Sequence, residues 1–107
     1  MDSRTKRRAS YDLSAIQAQM TSVCSMNLTR SAIRGIRAAG LCEEDALAVV
    51  TQLTSRNFYK SMPCEHDHRI WQDVYLATWR GIDLYVKFQK SGEFFVISFK
   101  ESEAYEW

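Results

Sequence analysis

Apolar positions change period along the chain. Up to about residue 53 they recur at three and four residues, and from Phe58 onward they alternate with polar residues or gather with aromatics. Leu13, Ile16, Met20 and Val23 make one stripe, which predicts a helix from about Asp12 to Val23, with Ser10 or Asp12 as its N-cap. Thr29 is placed to cap a second helix that turns Ala32, Ile33 and Ile36 inward and stops at Gly40. Arg30, Arg34 and Arg37 then share its exposed face. Such a row suits phosphates, an acidic partner or plain solvation. A third helix starts at Glu43-Glu44-Asp45, where three acids complement the helix dipole, and buries Ala46, Leu47, Val49, Val50 and Leu53.

Beyond Asn57 the pattern predicts four strands: about Asn57–Met62, Ile70–Leu76, Ile82–Gln89 and Phe94–Lys100. Pro63 ends pairing in the first, and turns fall at Thr78–Gly81 and Ser91-Gly92. In the third strand Leu84, Val86 and Phe88 oppose Tyr85, Lys87 and Gln89. In the fourth, simple alternation sets Phe95, Ile97 and Phe99 against Phe94, Val96, Ser98 and Lys100. In the second, alternation puts Gln72 with Ile70 and Val74. A bulge re-aims it, or that face is the open one, or Gln72 is a buried structural amide. Helices followed by strands imply an α+β domain over residues 10–107, with the three helices packed on one face of an antiparallel sheet and the opposite face open.

Composition narrows the class further. With 107 residues, 46% apolar and 25% charged, the chain reads as one soluble domain able to bury a core. No apolar run is long enough for a membrane span, and no apolar segment follows the basic residues Arg4, Lys6, Arg7 and Arg8, so the expected compartment is the cytoplasm. Residues 1–9 read as a flexible basic arm that contacts RNA or is simply solvated. Cys24, Cys42 and Cys64 are widely spaced and read as small buried residues. The net charge of +1 divides into +5 over residues 1–40 and −4 over residues 41–107. The tail from Glu101 carries Tyr105 and Trp107, placed to pack back or to meet a partner.

The polar residues within the strands carry the chemistry. Lys60, Gln72, Tyr85, Lys87, Ser98 and Lys100 bring ammonium groups, a phenol and an amide to an open face, a setting suited to a phosphodiester. Free tyrosine and lysine have pKa values near 10, a poor match to proton transfer at neutral pH unless neighbouring cations lower them. Phe58-Tyr59-Lys60-Ser61-Met62, Asp67-His68, Ile70-Trp71-Gln72-Asp73-Val74-Tyr75, Tyr85-Val86-Lys87 and Ile97-Ser98-Phe99-Lys100-Glu101 resemble the MqsR family of RNA-cleaving toxins from bacterial type II toxin–antitoxin systems. The resemblance covers about residues 53–101. It implies a RelE-like microbial RNase fold and sequence-selective, metal-independent mRNA cleavage by attack of a ribose 2′-OH on the adjacent phosphate.

The same resemblance implies Lys60, Gln72, Tyr85 and Lys100 as catalytic residues, and Tyr59, His68, Arg80 and Lys87 are the RNA contacts expected beside them. It implies no cofactor and no metal. It also implies a cognate antitoxin, MqsA-like and DNA-binding, as protein partner. The Pro63-Cys64-Glu65 loop and the weakly basic Leu76–Gly81 turn depart from the family pattern and bear on sequence preference. Two other readings stay open: a non-catalytic RNA- or partner-binding module, and a metal-dependent nuclease. Cys64, His66, Asp67 and His68 are metal ligands by type but lack a second cluster, and Asp73 and Asp83 lack a third carboxylate.

Overall fold

The computed structural model describes residues 4–102. Tyr105 and Trp107 lie outside that range. The described residues form an α+β unit of three helices, α1 (Leu13–Gln19), α2 (Arg30–Ala38) and α3 (Glu43–Gln52), then four strands, β1 (Phe58–Pro63), β2 (Trp71–Trp79), β3 (Ile82–Ser91) and β4 (Glu93–Glu101). The strands form one antiparallel sheet in the order β1-β2-β3-β4.

Local chemistry explains the helix ends. The Asp12 side chain caps α1 by accepting from the Ser14 amide, and Thr29 caps α2 by accepting from the Ala32 amide. The first helix is shorter than its apolar stripe suggests, ending at Gln19 rather than Val23. Competing side-chain hydrogen bonds stop it there. Gln19 turns its amide to the backbone of Phe94 and Ser25, and Ser22 and Ser25 bond each other in a tight 3-10 turn over Cys24–Met26. The core joins Ile16, Met20, Ala32, Ile36, Val49 and Val50 from the helices to Leu84, Val86, Phe88, Val96 and Phe99 from the sheet.

Three expectations need correcting. Phe94 and Val96 are buried in the core, not on the face of Ser98 and Lys100. A bulge at Ile97, where Lys87 pairs with Ser98 but Phe88 pairs with Val96, inserts one residue and swaps the faces of the strand's first half. The cysteines are not buried: Cys24 and Cys42 are exposed and Cys64 is half-buried, with the Cys42 thiol donating to Asp45 at the start of α3. The turn expected at Thr78–Gly81 is tighter, since Trp79 still belongs to β2 and packs half-buried against the core.

The second half of the basic arm is tied to the sheet. Lys6 exchanges both backbone hydrogen bonds with Ser61, at 2.8 Å each, and its ammonium lies 4.1 Å from the centroid of the Trp71 ring. Asp73, fully buried, accepts from the Ser10 amide at 2.9 and 3.1 Å and from the Tyr11 amide at 2.9 Å. A carboxylate beside amide donors is a structural clamp. Asp73→Asn puts an NH2 group against those donors and is expected to cost about 2 kcal/mol of stability, read by urea denaturation. An unchanged midpoint would show that the clamp contributes nothing.

Candidate functional site

Residues directly opposed across strands share a face, so the register sorts the side chains. Lys60, Val74, Lys87 and Ser98 form one row across the sheet, and Leu76, Tyr85 and Lys100 form the next. Met62, Gln72, Gln89 and Phe95 form a third. All three lie opposite the side that enters the core. Gln72 therefore stands on the open face without any irregularity in β2, and the apolar neighbour that alternation gives it, Val74, explains itself. Val74 is fully buried yet outside the core cluster, and the aliphatic stems of Lys60 and Lys87 flank it on either side.

Two bulges aim the lysines. In β1 an extra residue, Tyr59, lets Phe58 pair with Tyr75 on the core side while Lys60 pairs with Val74 on the open side. Phe58 and Tyr75 meet edge to face with ring centroids 5.5 Å apart. In β4 the bulge at Ile97 turns Ser98 and Lys100 outward while Phe99 stays buried.

Lys60, Gln72, Tyr85 and Lys100 thus share one surface with Lys87 at its centre. By sheet geometry the Cα atoms of Lys60 and Lys100 stand about 16 Å apart, with that of Lys87 between them. The Tyr85 ring lies between two ammonium groups, Lys100 at 5.1 Å and Lys87 at 6.0 Å from its centroid, and Lys60 lies 5.2 Å from that of Tyr59. Burial pushes the Lys87 ammonium below its ordinary pKa, and repulsion from Lys100 and Lys60 adds to this, with Cys64 and Glu65 opposing. Unbalanced positive charge of this kind welcomes an anion.

Beside the lysines lies a cleft of about 300 Å³, lined by Met62, Cys64, Glu65, His66, Gln72 and Lys87 among others. The Gln72 amide donates to the Gln89 side-chain oxygen at 2.8 Å, which fixes its orientation at the cleft. Sequence reasoning placed Gln89 on the face of Lys87 without giving it a role, and weighed His66 only as a metal ligand by type. The register of β2 and β3 was the signal for Gln89, and a loop histidine has none.

Two expected RNA contacts stand apart. Arg80 sits in the β2–β3 turn, 3.5 Å from Asp45 of α3 and stacked over Trp79 at 5.3 Å. His68 is exposed in the loop after the cleft, next to the Asp67–Arg69 ion pair. Asp73, in its clamp, is turned away from this surface, whereas Asp83 lies on the open face one row beyond Tyr85, where it accepts from the Thr78 hydroxyl at 2.8 Å. Among the described residues no three His, Cys, Asp or Glu side chains gather as a metal site. No helix among them is long and apolar enough to cross a membrane.

Comparison with known proteins bears on this surface. The family described as "Motility quorum-sensing regulator, toxin of MqsA" matches residues 8–101. The chain is also similar to the mRNA interferase toxin MqsR of Escherichia coli (strain K12), with 32% identity over 96 residues, which is 90% of this chain and 97% of that protein.

Proposed function

The chain belongs to the MqsR toxin family, and from that premise we propose that it is an mRNA endoribonuclease, the toxin of a toxin–antitoxin pair, whose active site is the open sheet face. The single observation that carries the placement is the convergence of Lys60, Gln72, Tyr85, Lys87 and Lys100 on one face of the sheet.

On this reading a ribose 2′-OH attacks the adjacent phosphate. The 2′-oxygen gives up its proton and bonds to phosphorus, the P–O5′ bond breaks and O5′ takes up a proton, leaving a 2′,3′-cyclic phosphate and a 5′-OH. Negative charge grows on the non-bridging oxygens, and fixed ammonium groups stabilise it more than they stabilise the ground state. Lys87 holds the phosphate centrally, with Lys60 and Lys100 on either flank. Tyr85, between two cations, serves in proton transfer, and Gln72 holds the nucleotide at the cleft. Tyr59 offers a ring for base stacking. No step calls for a metal. The rest of the reading follows the family: a RelE-like arrangement with the three helices on the inner sheet face, a cognate MqsA-like antitoxin that binds DNA, sequence-selective cleavage, and action in the cytoplasm.

Incubating the protein with a long transcript in EDTA, and mapping the ends, tests the reading. Cleavage leaving cyclic phosphates is expected. Binding without cleavage would favour a binding module, and cleavage lost on chelation a metal-dependent nuclease.

The electrostatics of Lys87 predict a pH signature. Its proton leaves at a lower pH than that of a free lysine, so kcat/KM is expected to fall on the alkaline side before about pH 10.4. Lys87→Arg, which stays charged beyond pH 12, is expected to move that limb upward. The folded state binds this proton less tightly than the unfolded chain. The resulting penalty is therefore present at neutral pH and fades as pH rises toward the unfolded lysine value. An alkaline limb identical in Lys87→Arg would remove Lys87 from the site.

A further inference from the structure

We infer that the arginine face of α2, Arg34 first and Arg30 next, continues the RNA path beyond Lys100 and holds phosphates flanking the scissile linkage. This rests on the ribonuclease reading above and extends it to a surface outside the sheet.

The first observation is where α2 lies. The outward carbonyls of β4 are taken in turn by the segments before and within that helix. Phe94 O accepts from Gln19 and Asn27, Val96 O from the Thr29 amide, and Ile97 O from the Thr29 hydroxyl. Phe99 O, next along, faces Gly35, where a Cβ would stand 1.8 Å from it and 3.3 Å from the Lys100 Cα. The helix therefore runs along the outer edge of β4 with Gly35 against the strand. This closeness sets the Cα of Arg34 within about 9 Å of that of Lys100.

The second observation is which way the helix is turned. Residues advance by about 100°. Measured from Gly35, Ala32 and Ile36 fall toward the core and are fully buried. Arg34 falls about 100° to the other side, the side of the open sheet face. Arg30 and Arg37 lie farther round, with Arg37 the most nearly opposite the sheet.

Charge is the third. All three arginines are exposed, none makes an ion pair among the described residues, and α2 contains no acidic residue. Arg37 shares a depression with Glu43 and Glu44 of α3, which weakens its pull on an anion. The surface thus offers one band of cations, from Lys60 through Lys87 and Lys100 to Arg34 and Arg30. Its partner is a chain of phosphates that continues past the reacting one. An acidic protein on the arginines would have to share the band with that chain.

The test uses a single-stranded oligonucleotide carrying a cleavage site mapped on the transcript, with 2′-deoxyribose at the cut for binding and ribose for kinetics. For the Arg30→Gln/Arg34→Gln double variant, the slope of log affinity against log salt is expected to flatten by about 0.7 for each phosphate that is no longer held. KM on the long substrate is expected to rise about tenfold with kcat unchanged. A substrate trimmed on the α2 side should show no difference between variant and wild type, and Arg37→Gln should change KM least. Exposed Arg→Gln changes leave stability within about 0.5 kcal/mol, so folding does not obscure the result.

Wild-type slope and KM in the double variant, while the wild type cleaves, would overturn this inference and leave the ribonuclease reading intact. So would unchanged RNA binding with weakened antitoxin binding. A wild-type protein that neither binds nor cuts RNA would overturn both.

Discussion

Lys60→Ala or Lys100→Ala is expected to lower kcat for RNA cleavage by about 10²–10³-fold. Each ammonium is fixed on a rigid strand and aimed by a bulge, at Tyr59 for Lys60 and at Ile97 for Lys100. The charge is in place before the reaction, so no reorganisation is needed as the phosphate becomes more negative. Lys100 is exposed, so its truncation should leave the melting temperature nearly unchanged, while Lys60→Ala also uncovers Val74 and is expected to lower it slightly. The losses should not add in the double variant if both act on one transition state. Single-turnover rates on the ribose substrate measure this. A loss under threefold for both variants, with folding intact, would move the chemistry elsewhere on the molecule.

The largest effect on the fold is expected from Gly35→Ala. In an ordinary helix this change stabilises by up to about 1 kcal/mol. Here the new methyl would meet the Phe99 carbonyl at 1.8 Å, inside any tolerable contact, and the atom it meets belongs to backbone and cannot swing aside. Either α2 lifts from β4, loosening the packing around Ala32 and Ile36, or the strand shifts and carries Lys100 with it. A loss of about 3 kcal/mol is expected. By thermal melting that corresponds to roughly 12–20 °C for a domain of this size. Cleavage measured well below the transition should fall as well, since the displaced strand holds Lys100. A melting temperature equal to or above wild type would mean that the close approach does not exist.

Periodicity revealed the helices, the hairpins and the alternation of β3, because each depends on residues near one another in sequence. It did not reveal the bulges. Whether Ile97 or Phe94 faces the core depends on one extra residue in β4, and only the pairing partner Lys87 counts it. Gln72 was undecided for a related reason. Its neighbour Val74 is buried by lysine stems arriving from two other strands, so an apolar residue on the open face looked like core. The candidate site residues were suggested by resemblance to a family; their gathering around Lys87 was not, since three strands must align to produce it. The arginine row was visible as a row, but its relation to Lys100 needed the close approach at Gly35. Cys42 was misread because a thiol at a helix start can donate to a nearby carboxylate, here Asp45, while staying wet.

The lone pairing of Lys6 with Ser61 has a bearing on the life of the protein before it meets any partner. β1 is an outermost strand, and a bare strand invites another molecule to add itself, the first step toward fibres. Three devices interrupt it within six residues: the kink at Tyr59, the Lys6 backbone already bonded at Ser61, and Pro63 with no proton to give. Copies of the protein crowded together would thereby be kept from adding to one another along this edge.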